Sequence, residues 1–394
     1  MPWMIREDQL DPDQRDFINV ESKKTGNIWV KGFAGSGKSV LLIHSLMNTL
    51  QKEPNAKIVV LVFTHSLKDM FETGISELKT YYKITHSIPV KTYYDFVDND
   101  RTNYDYIFCD EVQDLPSRVL YAMNNQARKV IVAGDSNQSI YDTDPRWNAP
   151  VVNPHQVGDI INARAFVLNM IHRLPRSIIS AVQKILPKMN IWGAKRDLTK
   201  ADVDIRLCEA TSEIEEVKYL YQEALKSTKF GDTSTILFPT HDLIIKFVQI
   251  LLTVNGKPQW TERMNVFGRL DYGNLNNYFR QNEIKMQFIG SGYGSLKNAE
   301  QNKEIILMTY HSSKGLDFDN VFLPFQNAHF YIHSGKSETL FMVAMTRSKK
   351  NLYLTYFGYT HDLVDKFKNE CTKISISDIL NRRTVTTNTN PFDF

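Results

Sequence analysis

Short, wholly apolar runs alternate with helix-length amphipathic segments along the first part of the chain. Asn27 to Lys31 (NIWVK) is a β-rich run, followed by a glycine loop and the helical pattern VLLIHSLMNTL. Lys57 to Phe63 (KIVVLVF), Tyr106 to Cys109 (YIFC) and Val130 to Ala133 (VIVA) repeat the strand signal. Strands buried on both faces and separated by helices predict an α/β fold with a mainly parallel sheet flanked by helices. The same alternation returns at Ser234 to Phe238, Glu304 to Thr309, Val321 to Leu323 and Asn351 to Thr355, which predicts a second unit of the same kind. A proline-rich, polar stretch at 145–159 marks the expected break. The expected domains are therefore 1–158 and 159–375, with a polar, threonine-rich tail at 376–394. That tail reads equally as a frayed end or as a partner-binding peptide. Residues 255–296 are dense in Gly, Asn and Tyr and read as an irregular insertion in the second unit.

Composition narrows the class without naming it. A chain of 394 residues fits two domains. Its 42% hydrophobic and 23% charged content is that of a globular protein and argues against wholesale disorder. A net charge of +3 is compatible with nucleic-acid binding but does not argue for it. Cys109, Cys208 and Cys371 are scattered, with no zinc-type spacing, and fit a reducing compartment. The acidic N-terminus lacks the apolar region of a signal peptide. No uninterrupted apolar run reaches the roughly 18 residues of a membrane span. A cytoplasmic protein without membrane association is the expectation.

The first chemical signal is Gly32-Phe-Ala-Gly-Ser-Gly37-Lys38-Ser39, which fits G-x-x-x-x-G-K-[ST] between an expected strand and an expected helix. In such a loop the backbone N–H groups curl around a phosphate at the positive end of the helix dipole. Lys38 would reach the β- and γ-phosphates, and the Ser39 hydroxyl would hold Mg²⁺. Tyr106 to Cys109 then delivers Asp110 and Glu111. An Asp-Glu pair after an isolated strand is ordinarily a solvated turn. Next to a phosphate loop, Asp110 becomes the magnesium ligand and Glu111 the group that orients and deprotonates the attacking water.

The run DEVQD at 110–114 resembles the corresponding box of superfamily 1 helicases of the UvrD/Rep type, and further motifs follow in that family's order. The resemblance extends from Leu10 to about Thr355. It implies two RecA-like P-loop NTPase lobes, with ATP hydrolysed to ADP and phosphate in the cleft between them. It makes Gln14 the adenine reader and adds Gly32, Ala34, Gly35, Ser36, Gly37, His172, Gly315 and Asp317 to the nucleotide site. Gln138 would sit by the γ-phosphate, and Arg173 and Arg347 would be arginine fingers. Phe63, Thr64, Thr92, Tyr141, Thr309 and His311 would meet single-stranded DNA.

The chain departs from the family in three places. Position 172 is His where a tyrosine usually stacks on adenine, and Asp317 stands where glutamate is common. After Tyr141 the usual tryptophan-bearing stretch reads DTDPRW. There is also no room for the large insertions that grip and split a duplex. The resemblance thus implies a compact ATP- and Mg²⁺-dependent helicase or translocase on single-stranded DNA, moving 3′ to 5′, with RNA an alternative track. The runner-up is a nucleic-acid-gated ATPase that regulates a protein partner, for instance in a defence or toxin-like system, without unwinding. A binder without turnover is disfavoured by Glu111, Gln138, Arg173 and Arg347.

Overall fold

The computed structural model describes residues 4–135, 139–172, 174–189, 195–196, 202–328, 332 and 336–388. The chain forms two compact units, Met1–Leu174 with Met189–Lys200, and Pro175–Lys188 with Ala201–Phe394. Each is built on a parallel sheet flanked by helices, the architecture of a RecA-like lobe.

The first sheet contains β1 (Asn27–Gly32), β2 (Ile58–Val62), β3 (Val90–Thr92), β4 (Tyr104–Cys109), β5 (Ala127–Gly134) and β6 (Ala163–Leu168), in the order β3-β2-β4-β5-β1-β6. All its pairings are parallel. Val59 to Leu61 and Ile107 to Cys109 are buried, as continuous apolar strands covered on both faces should be. The helix Lys38–Lys52 buries Leu41, Leu42, Ile43, Leu46 and Met47.

β6 lies beyond the 158/159 boundary expected from the proline-rich stretch. It pairs with β1 from Asn27↔Ala163 to Gly32↔Leu168. The proline-rich segment is tied back by antiparallel bridges Pro116↔Val151 and Thr143↔Pro150. A short pair, β7 (Met170–Ile171) with β8 (Lys195–Arg196), follows.

The second sheet contains β9 (Asp204–Ala210), β10 (Ser234–Phe238), β11 (Met286–Phe288), β12 (Ile305–Thr309), β13 (Phe318–Leu323), β14 (Ser348–Phe357) and β15 (Thr372–Ser375). Their order is β11-β12-β10-β13-β14-β9-β15, again with parallel pairings throughout. The region 255–296 is irregular only as far as Asp271. Beyond it come the helix Tyr272–Gln281, capped by Asp271, and the edge strand β11. The tail begins with the helix Ile376–Asn388. Ile376 is fully buried, and Ser377 Oγ donates to Glu215 Oε1 at 2.6 Å.

Candidate functional site

In a parallel sheet the carboxyl ends of the strands share one edge, and loops leaving neighbouring strands converge there. The adjacent strands β4, β5, β1 and β6 put four such loops side by side in the first unit: Asp110-Glu111, Asp135, the glycine loop and His172.

The glycine loop runs from Gly32 into the helix Lys38–Lys52, with left-handed Gly35 (φ 75°) and Gly37 (φ 81°). A β-carbon at Gly37 would also run into the Gln14 amide. Glycine is needed there for space as well as for conformation. Lys38 Nζ donates to the carbonyls of Gly32 (2.9 Å) and Phe33 (3.0 Å), so the ammonium lies folded over the loop. Ala34 N–H donates to Asp135 Oδ2 at 2.9 Å, which anchors the loop to the end of β5. Ser36 is fully buried, and its hydroxyl has no hydrogen-bond partner.

Ser39 Oγ donates to Asp110 Oδ2 at 2.5 Å. Burial first, then the adjacent Glu111 charge, pushes the Asp110 carboxyl up to about 6, against the pull of Ser39 and Lys38. A buried carboxylate beside a hydroxyl is the oxygen donor set that Mg²⁺ accepts, with phosphate and water completing the shell. Glu111 holds a left-handed backbone (φ 56°). Gln113 Nε2 donates to Glu111 Oε2 at 2.5 Å, and Gln113 Oε1 accepts Asp135 N–H at 3.2 Å. Asp114 accepts the N–H of Ile140 at 2.9 Å. One continuous chain of bonds thus ties the acidic pair to the strand carrying Asp135 and, through Asp135, to the glycine loop.

On the other side of the loop, Asp11 caps the helix Pro12–Asn19, its carboxylate accepting Gln14 N–H at 2.7 Å. Gln14 Oε1 accepts Asp11 N–H at 3.1 Å, and its Nε2 donates to Ser36 O at 3.1 Å. His172 donates its backbone N–H to Gly35 O at 2.9 Å. Its Nε2 meets Asp11 Oδ2 at 2.5 Å. Burial raises the Asp11 carboxyl, but the His172 bond and the Gln14 N–H outweigh it and hold the group below its ordinary value.

Gln138 and Arg173 lie outside the described residues. Phe63 is buried and stacks on Tyr93 and on Tyr141, both at 5.1 Å. Thr64 and Thr92 cap the helices His65–Tyr82 and Tyr93–Asn99, accepting Leu67 N–H and Asp95 N–H. Trp147 packs edge-on against Tyr93 and Tyr94 under the Arg118 guanidinium, 3.9 Å from its ring centroid.

In the second unit, the adjacent strands β11, β12 and β10 bring their carboxyl ends together in the same way. Thr309 Oγ1 accepts Ser312 N–H at 3.1 Å. His311 is held neutral: burial, then Lys314 and His241, lower its pKa to about 4. His241 Nδ1 lies 2.5 Å from the Tyr272 hydroxyl, and Tyr272 stacks on Phe288 at 3.6 Å. Gly315 is left-handed (φ 79°) and precedes the half-buried Asp317 by two residues. Arg347 is 1% exposed. Its guanidinium donates to Val343 O (2.8 Å), Leu316 O (3.1 Å) and Thr346 Oγ1 (2.8 Å).

Four residues of this network were not singled out as site residues by motif: Asp11, Gln113, Asp135 and His241. Asp11 carried a local signal, an N-cap aspartate before Pro12. Gln113 lies in the DEVQD run two residues from its partner Glu111, whereas its bond to Asp135, the Asp135 bond to Ala34 and the His241–Tyr272 contact join residues far apart in sequence, which spacing along the chain does not reveal.

Among the described residues, no helix is long and apolar enough to cross a membrane. None of their His, Cys, Asp and Glu side chains form a group of three or more able to hold a metal ion. Residues 14–144 match the AAA domain family, and residues 272–359 match the UvrD-like helicase C-terminal domain family. No curated protein matches the chain. Similar solved structures include an arterivirus nonstructural protein 10 (helicase), 15% identical with a TM-score of 0.43. Another is the PRRSV helicase, 14% identical with a TM-score of 0.41. The matches cover 86% and 84% of this chain, which spans only 61% and 52% of those two structures.

Proposed function

We propose that this chain, which its two domain matches make a UvrD-like helicase of superfamily 1, is an ATP-driven motor that moves 3′ to 5′ along single-stranded DNA. The observation that carries the reading is the convergence of Lys38, Ser39, Asp110 and Glu111 at one sheet edge, cross-tied through Gln113 and Asp135. A solvated turn needs no such wiring.

In this reading the loop N–H groups and Lys38 bind the β- and γ-phosphates, and Lys38 exchanges its loop carbonyls for phosphate oxygens. Ser39 and Asp110 hold Mg²⁺, which when bound offsets negative charge on the phosphates. Glu111, steadied by the Gln113 amide, orients the attacking water and takes its proton. Gln14 supports the loop through Ser36 O and leaves adenine to be met largely by the His172 ring. Arg347 supplies a guanidinium to the charge that develops in the transition state. At 1% exposure the guanidinium must first be uncovered, which makes turnover depend on a rearrangement within the second unit. Thr309 and His311 meet the strand; His311, being neutral, donates a hydrogen bond rather than a full charge.

Translocation assays on oligonucleotides blocked at either end test the reading. ATP-dependent displacement of the block at the 5′ end alone supports it. Displacement only at the 3′ end overturns the polarity. ATP hydrolysis that responds to single strands without any displacement favours a regulatory ATPase acting through a protein partner.

A further inference from the structure

Gln14 stands where the resemblance expects a reader of the nucleotide's base, yet both ends of its amide are bonded within the protein. The residue is 2% exposed. Its Oε1 accepts Asp11 N–H at 3.1 Å, which closes the capping box of the helix Pro12–Asn19. Its Nε2 donates to Ser36 O at 3.1 Å, inside the glycine loop. The same amide fills the space that a β-carbon would need at Gly37. Turning it toward a base would exchange two internal bonds for two bonds to the ligand. It would also take the partners from Asp11 N–H and from the carbonyl of buried Ser36, which is costly. Reading a base brings Gln14 no net gain.

His172 is the other residue bonded to this part of the loop, its backbone N–H donating to Gly35 O at 2.9 Å. An ionised carboxylate accepts hydrogen bonds and donates none. At 2.5 Å the Asp11 carboxylate therefore takes the Nε2 proton of the ring. Asp11 is in turn fixed by Gln14 N–H at 2.7 Å. The ring is thus gripped at one edge, while its side chain remains 27% exposed and offers a face. Every base has a π-face to lay on such a ring, whereas the groups that tell bases apart lie on their edges.

We propose that the nucleotide site does not select among bases, so that the chain hydrolyses ATP, GTP, CTP and UTP alike. In each, water attacks the γ-phosphorus and the nucleoside diphosphate leaves with the bond it breaks. Gln14 is a positioning residue of the glycine loop, and the His172 ring is a platform that takes any base. This rests on the nucleotide site assigned above and widens its substrate from ATP to nucleoside triphosphates as a class. An amide that read adenine through two bonds would separate ATP from GTP by about 5- to 100-fold. Stacking alone leaves only the larger purine face as a difference, within about tenfold across the four.

The test measures kcat/KM for the four nucleotides with Mg²⁺ and single-stranded DNA, in the wild type, Gln14→Ala and His172→Ala. The wild type should turn over all four within about tenfold of one another. Gln14→Ala should lower kcat/KM for every nucleotide by the same factor, in protein still folded at the assay temperature, and leave the ATP-to-GTP ratio unchanged. Gln14→Met, which keeps the bulk without the amide, supplies the same ratio if the alanine variant fails to fold. His172→Ala should raise KM for all four, most for the purines. A wild type that prefers ATP to GTP by more than about tenfold overturns the base tolerance and leaves ATP hydrolysis standing. A ratio that collapses in the Gln14 variants returns that residue to reading adenine and overturns its positioning role. A wild type that neither binds nor hydrolyses any of the four overturns the nucleotide site itself.

Discussion

Asp11 Oδ2 lies 2.5 Å from Nε2 of His172, while the same carboxylate accepts the N–H of Gln14. One side chain therefore starts the first helix and fixes the ring beside the glycine loop. The two roles separate by substitution. Asparagine is as good an N-cap as aspartate, whereas alanine costs about 1 kcal/mol at such a site. Asp11→Ala should lower the melting temperature; Asp11→Asn should leave it unchanged yet weaken ATP binding, read with a fluorescent ATP analogue. In a His172→Tyr background, Asp11→Asn should add nothing. An equal effect in both backgrounds would show that Asp11 does not act through His172.

Glu111 occupies a left-handed turn with its carboxylate held by Gln113. Glu111→Gln should lower turnover by about 10²–10⁴, the usual contribution of a general base, with nucleotide affinity intact. Loss of affinity instead would assign Glu111 to holding the turn.

Arg347 is buried in its own unit, its guanidinium donating to two carbonyls and a hydroxyl. Arg347→Ala should cost on the order of 10³-fold or more in turnover if the group acts in the transition state, with ATP affinity near normal. A purely structural arginine predicts a different pattern. The melting temperature would fall because buried carbonyls lose their donor, and turnover would change only a few-fold.

Much of this was legible in the sequence, for reasons that differ by residue. Lys38, Ser39, Asp110 and Glu111 sit directly at the ends of apolar runs, so a local pattern places them at the sheet edge. β6 was not legible. Its apolar run AFVL (165–168) is as long as YIFC, but it lies past the proline-rich stretch that marked the expected break, and as the outermost strand of its sheet it is partly exposed. Its position beside β1 is what carries His172 to the glycine loop, and the proline-rich stretch pointed the other way. The roles expected of Thr64 and Thr92 compete with plain capping, which their position before a helix also explains.

Glu216 offers a pH signature in the second unit. Its Oε1 accepts Phe325 N–H and the Thr355 hydroxyl, each at 2.6 Å, and burial pushes the carboxyl up to about 7 against an ordinary value of 4.5. A carboxyl with a raised folded value binds its proton more tightly when folded. Its contribution is present below the unfolded value and lost as pH rises through about 7. Thermal or urea unfolding should therefore show wild-type stability falling between about pH 5 and 8 relative to Glu216→Gln. Parallel pH profiles for the two proteins would contradict this.

The central claim is that the glycine-loop cluster hydrolyses ATP in response to a nucleic-acid strand. Steady-state ATP hydrolysis with Mg²⁺, measured alone and with single-stranded DNA, duplex DNA or RNA, tests it most directly, with Lys38→Ala as control. The account predicts strong stimulation by single-stranded DNA and no turnover by Lys38→Ala. Hydrolysis indifferent to every nucleic acid, or unaffected by Lys38→Ala, would contradict it.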